Sequence, residues 1–386
     1  MDYGTYLTEQ ILPHWLSISP DRTDGGLFTG FDAHGNPVNT DKNIWFQGRA
    51  MWTYAMAYRL CAPRQEYLDI CEHIFRFLQT LPRYRLPYIT DRTGNTKTFR
   101  PIYYYTEMFC AMGCAQYYRI CGKPEVWELA EGYFDLIAEL YEKNHTTTQE
   151  IGVQTPCKTL GLHMAMIATA QFVRNAAPDK TKYDRVIQRA IRELMTAGFV
   201  DEENRQIHEY VSLTGAPVDE KLRDCSVPGH IYEAAWFVLC EGALQNDDTI
   251  RNFGRKLLDY AMPEGFEAIT DVIPTVRDLS KPLAEDLPDA YLTWPQQELI
   301  IAFRLAYHMF GEPKYLAVSQ QMENTLFSYY DRFEDSVWFQ EIFKKDGILQ
   351  DPSAQGIHMN GPFHFERILL ALHCLQKTGS ILPYLA

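Results

Sequence analysis

A short phrase recurs along the chain at a nearly constant spacing, and it constrains the fold more than any other feature. Its copies are Tyr58–Pro63, Tyr118–Pro124 and Tyr307–Pro313. Each is an aromatic-rich helix end, a short break and a proline that opens the next helix. The first two copies begin 60 residues apart, and the third begins 189 residues further on, which is three steps of 63. A fixed period of this size indicates a repeat architecture.

The apolar residues between these copies recur at positions i, i+3 and i+4, which predicts helices. About twelve helices fit the pattern. Their approximate spans are 3–16, 43–61, 64–80, 102–121, 124–142, 157–176, 179–197, 229–244, 247–261, 295–310, 313–330 and 363–377.

The connections between these helices alternate in length, from two to four residues to about 14 to 33 residues. In an antiparallel array, all short turns then lie at one end and all long loops at the other. If the first helix pairs with the last, six hairpins close into a ring. This predicts an all-α (α/α)6 barrel, a toroid of six helical hairpins formed by one domain over residues 1–386. A superhelical array of helix hairpins is the alternative.

Turn-forming residues in the long loops predict short β-hairpins at that end of the barrel. The segment Gly25–Phe31, followed by a turn at 32–35, has the pattern of a strand. Trp338–Gln340 and Lys345–Gly347 are similar. Loops held by a rigid scaffold commonly carry function, so the long-loop end is the expected active face.

Composition and net charge indicate a globular protein and disfavour several kinds of partner. The chain is 46% hydrophobic and 13% aromatic, which suffices for a large core, and its net charge is -14 without a run of Lys or Arg. We therefore expect no nucleic acid or anionic membrane as a partner. The sequence also predicts no signal peptide and no membrane span. Nine cysteines without a Cys-x-x-Cys pair fit free thiols and a cytoplasmic location. A homodimer is plausible for an aromatic-rich toroid.

The inner helices begin at the long-loop end, so the polar residues near their starts converge on the barrel axis. Aromatic walls with converging hydrogen-bonding groups suit a sugar. The candidates are Trp45 and Arg49 in the first inner helix, Tyr104 and Glu107 in the second, His163 in the third, His230 and Glu233 in the fourth, Trp294 and Glu298 in the fifth, and His364 in the sixth.

Each candidate also has a structural interpretation. His163 lies among apolar residues and taken alone is typical of a core histidine, whereas His230 and His364 stand at exposed helix starts. Arg49 is equally compatible with a buried ion pair. Glu233 follows His230 by three residues and is placed to orient its ring. Tyr104 and Trp294 fit a cavity wall as well as a ligand contact.

Other kinds of site fit the sequence poorly. We expect no metal, because there is no His-x-x-x-His spacing and no cysteine cluster. The phosphate-binding Gly-x-x-x-x-Gly-Lys-Ser/Thr loop and the Gly-x-Ser-x-Gly elbow are also missing from the sequence.

Five motifs in order along the chain resemble the N-acylglucosamine 2-epimerase family, from about residue 25 to residue 375. The first is Gly25-Gly26-Leu27-Phe28 with Asp32 and Gly35. The others are Trp45-x-Gln47-Gly48-Arg49, Pro228-Gly229-His230-x-x-Glu233-Ala234-x-Trp236, Trp294-Pro295-x-x-Glu298 and Phe363-His364-x-x-Arg367.

The resemblance implies an (α/α)6 barrel, in agreement with the repeat count, and a carbohydrate epimerase or isomerase that acts without a redox cofactor. By the match, His230 and His364 take the acid and base roles and Arg49 the oxyanion role. Glu233 and Glu298 support the site, and His163 stands where the isomerase and cellobiose branches carry a histidine.

The Trp-x-Gln-Gly-Arg opening is most similar to the N-acylglucosamine branch, whose last motif follows a Gly- and Lys-bearing stretch linked to activation by ATP. Here that stretch, 355–361, contains no Lys. We therefore expect no cofactor, and ATP, which the resemblance implies only as an allosteric activator, lacks this sequence signal here. Glu366 is a second departure, because that branch usually carries another residue there.

The resulting hypothesis is a 2-epimerase for N-acetylglucosamine and N-acetylmannosamine that moves the C2 proton through an enediolate with two histidines. The alternatives within the family are an aldose–ketose isomerase or a 2-epimerase for mannose or cellobiose. A glycoside hydrolase, with carboxylates among Glu107, Glu233 and Glu298, and a non-catalytic sugar-binding protein are the alternatives of other classes.

Overall fold

Helices of two kinds alternate along the chain, one buried on almost all sides and the next buried on a single face. The computed structural model describes residues 1–386 except 33, 84, 100–103, 144–156, 214–217, 263–271, 282–289, 334–340, 346–347, 351–360 and 386. The helices are α1 (Tyr3–Tyr6, a π-helical turn Leu7–Ile11 and Leu12–Ile18), α2 (Ile44–Leu60), α3 (Gln65–Gln79), α4 (Tyr105–Cys121), α5 (Pro124–Lys143), α6 (Leu160–Arg174), α7 (Thr181–Thr196), α8 (Glu220–Arg223), α9 (Pro228–Gln245), α10 (Asp248–Tyr260), α11 (Thr293–Phe310), α12 (Pro313–Arg332), α13 (His364–Thr378) and α14 (Leu382–Leu385).

The fully buried helices form the inner ring. Helices α2, α4, α6, α9, α11 and α13 contact one another in that order, and α13 returns to α2. Each is paired with an outer helix, and α1 packs against α13. The first helix therefore pairs with the last, as predicted, and the ring is closed. The (α/α)6 barrel is confirmed and the superhelical array is excluded.

The recurring phrase marks the short-turn end of this ring. Gly122, Gly311 and Gly379 follow α4, α11 and α13 with φ angles of 67°, 70° and 68°. Asn246 follows α9 with a φ of 53°. Glycine and asparagine adopt this left-handed conformation at low cost, which lets the chain leave the helix and turn within a few residues.

Short strands join neighbouring long loops around the opposite rim. They are β1 (Lys42–Asn43), β2 (Ile89–Thr90), β3 (Thr96–Thr98), β4 (Cys157–Thr159), β5 (Val200–Asp201), β6 (Gln206–Ile207), β7 (Tyr210–Ser212), β8 (Cys225–Ser226), β9 (Arg277–Asp278), β10 (Ala290–Leu292), β11 (Glu341–Lys345) and β12 (Ile348–Gln350). The antiparallel sheets are β1-β2-β3, β4-β7, β5-β6, β8-β9 and β10-β11-β12. Because β4-β7, β8-β9 and β10-β11 link loops that precede different inner helices, they fix the helix starts relative to one another.

The predicted strand pattern is partly wrong. Gly25–Phe31 contributes only the isolated bridges Pro20–Leu27 and Phe31–Pro37, because Gly25 and Gly26 have positive φ angles that interrupt extended backbone. Residues 338–340 lie outside the described residues, while β11 and β12 form the hairpin predicted around 345–347. Residues 157–159 form β4, so α6 begins three residues later than predicted.

Two glycines bring α2 and α4 into close contact beneath the long loops. A Cβ atom on Gly48 would lie 2.5 Å from the backbone of Phe109 and Cys110, and one on Gly113 would lie 2.5 Å from the Gly48 carbonyl oxygen. Backbone cannot move aside as the end of a side chain can. The close approach therefore sets the distance between Arg49, which follows Gly48 on α2, and Phe109, whose backbone Gly48 contacts on α4.

We expect Gly48→Ala to destabilise the barrel by about 1–3 kcal/mol or more, because the added methyl group overpacks a rigid helix contact. Gly132→Ala in α5 is the matched control, since its Cβ would meet nothing within 4 Å. Removing a glycine from an open helix position is expected to be neutral or to stabilise by up to about 1 kcal/mol. Thermal unfolding of the two variants measures the difference; equal midpoints would contradict the packing argument.

None of the described helices combines the length and apolar character needed to cross a bilayer. All nine cysteines are free thiols, six of them buried.

Candidate active site

A cavity of 450 Å³ lies among the starts of the inner helices and the rim strands. This is within the range of small-molecule sites, about 300–1,000 Å³. The long-loop end therefore holds the cavity, as expected. Of the predicted site residues, those that line it are Trp45, Arg49, His230, Glu233, Trp294 and His364.

His230 is held by a carboxylate that precedes strand β7. Its Nδ1 lies 3.1 Å from Glu209 Oε2, and the other oxygen of Glu209 accepts a hydrogen bond of 3.0 Å from the Gly161 amide. A Cβ on Gly161 would lie 2.8 Å from the imidazole, so only glycine leaves room for the ring. Burial alone would lower the pKa of His230, but the Glu209 carboxylate outweighs it and raises the pKa above its ordinary value.

His364 has the opposite electrostatic environment. Burial and then the nearby cations Arg367 and Arg49 hold its pKa well below its ordinary value, so the ring is neutral at neutral pH. Its Nδ1 lies 3.0 Å from Glu298 Oε1. When Nδ1–H donates to that carboxylate, Nε2 carries the free lone pair.

Trp294 stands between the two histidines. Its ring centroid lies 5.5 Å from that of His230 and 5.6 Å from that of His364, with interplanar angles of 36° and 34°. A Cβ on Gly229 would lie 2.2 Å from the indole, so this glycine allows the close packing. The two imidazoles thus reach the cavity from different helices, separated by an aromatic wall.

Arg49 is a buried cation enclosed by aromatic rings. Its guanidinium carbon lies 4.2 Å from the centre of Phe109, 4.6 Å from Phe363 and 4.7 Å from Trp45, and burial lowers its pKa to about 9. Among the described residues no carboxylate lies within ion-pair distance, and Nε has no hydrogen-bond partner. The buried ion pair considered from the sequence is thus not found there. A charge with this environment is suited to an anion formed in the cavity.

Arg367 ties the acidic residues of the site together. Its guanidinium is hydrogen-bonded to Glu233 and Glu298, and Glu298 also accepts a bond of 2.9 Å from Trp236 Nε1. Glu233, Glu298 and His364 are close enough to hold a metal ion, but the Arg367 guanidinium already provides the positive charge that a cation would supply there. The donor set therefore fits a structural ion-pair network better than a metal.

Four predicted substrate contacts are absent from the cavity wall. Tyr104 is the N-terminal cap of α4 and packs against the core. Glu107 is buried and accepts a 2.8 Å bond from the Leu86 amide. His163 faces outward from α6, with Nδ1 2.5 Å from the Tyr141 hydroxyl. Glu298 is fully buried and is hydrogen-bonded to His364 and Arg367 instead.

Glu233 also differs from expectation, since it bonds to Arg367, and the residue that orients His230 is Glu209. Glu366 points away from the cavity and accepts a 2.9 Å bond from Trp15 Nε1; burial raises its pKa to about 7.

Sequence reasoning missed Glu209, Phe109 and the role of Arg367. Glu209 lies in the loop immediately before β7, and it is 21 residues from its partner His230. No spacing rule links the two. Arg367 stands three residues after His364. Residues at this spacing are neighbours on a helix, so the sequence did indicate that the two side chains lie close together.

Comparison with known proteins identifies relatives along almost the whole chain. Residues 26–358 match the family model for N-acylglucosamine 2-epimerase (GlcNAc 2-epimerase). The Bos taurus N-acylglucosamine 2-epimerase is 24% identical over 98% of this chain and 91% of its own. A cellobiose 2-epimerase of Eubacterium cellulosolvens is 23% identical over 88% of this chain and 90% of its own. The crystal structure of a sugar epimerase from a ruminal bacterium superposes with a TM-score of 0.78 at 18% identity, covering 97% and 98% of the two chains.

Proposed function

The chain belongs to the N-acylglucosamine 2-epimerase family of carbohydrate epimerases, and we propose that it interconverts N-acetylglucosamine and N-acetylmannosamine at C2. The observation that carries the proposal is the pair of histidines flanking Trp294 with opposite pKa shifts. An imidazole whose pKa is held low beside one whose pKa is raised is the arrangement that removes a proton at one position and supplies a proton at another.

The reaction begins with the open-chain sugar, whose C1 aldehyde makes the C2 proton acidic. Because C2 of these sugars carries an acetamido group, removing that proton creates an enolate whose negative charge lies on O1, and this oxygen needs a fixed positive charge. Arg49 supplies this charge from a buried position, where an oriented donor is worth more than in solution.

His364, neutral at rest, is the base that takes the C2 proton of one epimer. His230, whose pKa is raised by the Glu209 carboxylate, is the acid that delivers a proton to the other face of the planar intermediate. In the reverse direction the roles exchange, and proton exchange with water returns both rings to their resting state. General acid–base groups of this kind typically contribute about 10²–10⁴ in rate.

The reaction can be followed in deuterated water by proton NMR, with N-acetylmannosamine, mannose and cellobiose as substrates. We expect the C2–H signal of N-acetylmannosamine to disappear as N-acetylglucosamine appears. Turnover of mannose to a ketose would instead identify an aldose–ketose isomerase, and epimerisation of mannose or cellobiose alone would reassign the substrate. Saturable sugar binding without any turnover would identify a binding protein.

The carboxylates weigh against a glycoside hydrolase, which needs two of them across the scissile bond. Glu107 lies outside the cavity, and Glu233 and Glu298 are both tied to the Arg367 guanidinium. Glu209 lines the cavity, but its two oxygens are bonded to His230 and to the Gly161 amide. Release of reducing ends from an oligosaccharide would contradict this argument.

Glu209→Gln should narrow the pH range of activity from the alkaline side. Glu209 raises the pKa of His230, so without the carboxylate this ring loses its proton at lower pH. The upper apparent pKa of kcat/KM is therefore expected to fall while the lower limb stays in place. Glu107→Gln, a buried carboxyl outside the cavity, is the matched control. An unchanged profile for Glu209→Gln would show that Glu209 does not set the protonation of His230.

A homodimer, a cytoplasmic location and independence of ATP stay predictions from the sequence. Residues 355–360, on which the prediction about ATP depends, lie outside the described residues. Size-exclusion chromatography with light scattering tests the homodimer, and assays with and without ATP test the independence of ATP.

A further inference from the structure

The short helix α14 lies within the ring of inner helices, at the end opposite to the rim strands. It contacts α2, α9 and α13. In the ring, α2 and α9 are separated by two inner helices in either direction, so a segment that contacts both spans the bore of the barrel. Asn175, the cap at the short-turn end of α6, donates a hydrogen bond from its side-chain amide to the Leu385 carbonyl oxygen. Helix α14 therefore fills the bore from the short-turn end.

Tyr384 is the residue of α14 that lies at the centre of the bore. Its side chain is fully buried, and its ring centroid lies 5.9 Å from that of Trp52, 5.7 Å from that of Phe172 and 5.9 Å from that of Trp236. The interplanar angles are 64°, 69° and 71°, which is the edge-to-face packing that aromatic rings favour. These three rings belong to α2, α6 and α9, so Tyr384 packs against three sides of the barrel at once.

The same three rings form the floor of the cavity. Each follows, by three residues on its own helix, a residue that lines the cavity, and therefore lies about 4.5 Å further along the barrel axis. The lining residues are Arg49 on α2, Thr169 on α6 and Glu233 on α9. Tyr384 is not part of the cavity wall. It supports the floor from below and does not touch a sugar bound above it.

One ring of the floor connects Tyr384 to the proposed base. Trp236 Nε1 donates a 2.9 Å bond to Glu298 Oε2, and Glu298 Oε1 lies 3.0 Å from His364 Nδ1. The position of the indole therefore affects the carboxylate that orients the His364 imidazole. His230 is oriented instead by Glu209, which lies at the rim.

We propose that Tyr384 is a positioning residue, which holds Trp236 and, through Glu298, keeps the His364 imidazole in place for transfer of the C2 proton. The inference rests on the proposed function. Protein interiors are close-packed, so removing the Tyr384 ring leaves a cavity that its neighbours fill only in part. The Trp236 indole can then tilt into that space, and its bond to Glu298 lengthens or breaks.

Tyr384→Ala should lower kcat by up to about 10², because a base misplaced by about 1 Å can lose this much rate. KM should stay at the wild-type value, since Tyr384 does not line the cavity. Tyr384→Phe should restore kcat, because the hydroxyl has no hydrogen-bond partner among the described residues and the ring alone does the packing. If Tyr384→Ala does not fold, Tyr384→Leu retains part of the packing and should show the same loss in kcat. Wild-type kcat in the folded variant would overturn the proposal.

Tyr183→Ala is the matched control, measured at a temperature where all variants are folded. Tyr183 is also fully buried with an unpartnered hydroxyl, but it lies on the outer helix α7, where its ring centroid is 4.6 Å from that of Phe134 on the outer helix α5. This variant should lower the unfolding midpoint and keep the wild-type kcat. An equal loss of kcat in both variants would show only a general effect of destabilisation, and would overturn the positioning role.

Proton NMR tests the positioning of His364 without any turnover. A ring N–H that donates to a carboxylate gives a downfield signal, and His364→Asn and His230→Asn assign the signals of the two imidazoles. Tyr384→Ala should shift or broaden the His364 signal and leave the His230 signal in place. A change in both signals, or in neither, would overturn the positioning role. Absence of C2–H exchange with every sugar would instead contradict the proposed function, and the NMR result would still decide the role of Tyr384.

Discussion

His364→Asn and His230→Asn are each expected to stop net epimerisation while leaving exchange of the C2 proton of one epimer. Each variant keeps one imidazole, which can still remove and return a proton on its own face of the sugar. The loss of turnover should be about 10²–10⁴. Proton NMR in deuterated water, started from each epimer separately, measures both exchange and inversion.

The two variants should be complementary. The epimer whose C2 proton is exchanged by one variant should not be exchanged by the other. An aldose–ketose isomerase needs one base on one face, so only one variant would then lose activity. His308→Asn, at the short-turn end of α11, is the control and should behave as the wild type. Near-wild-type turnover in both active-site variants would contradict the assignment of either histidine.

Arg49→Ala is expected to lower kcat by on the order of 10² or more with the fold intact, since an oxyanion donor contributes roughly 3–4 kcal/mol to the barrier. The change should appear in kcat and kcat/KM together. A rise in KM with kcat unchanged would reduce Arg49 to a binding residue.

The unfolding midpoint distinguishes an oxyanion-stabilising role of Arg49 from a structural role. Arg49 has no ion-pair partner among the described residues, so removing its charge leaves no carboxylate there newly unpaired. Arg49→Met, which keeps an apolar side chain within the ring of Phe109, Phe363 and Trp45, should therefore retain or raise the unfolding midpoint while activity is lost. A large drop in the midpoint would show that Arg49 holds the structure together.

The period of the recurring phrase predicted an array of helical hairpins from the sequence alone, and the contact between the first and last helices showed that the array closes into a ring. In either arrangement, the alternation of short and long connections places the long loops and the inner-helix starts at one end. That argument brought His230, His364 and Arg49 to the same cavity, where the structure places all three.

Only the tertiary structure decided which side of each inner helix faces the cavity. These helices are apolar on nearly every side because they are buried on nearly every side, so their sequences carry no amphipathic pattern. On α6, Met164 and Ala165 line the cavity, whereas the adjacent His163, about 100° away around the helix, bonds to Tyr141. The pairing of Glu209 with His230 likewise depends on where strand β7 lies along the rim. Sequence spacing thus predicted which end of the barrel holds the cavity. Packing between helices and strands decided which side chains meet in that cavity.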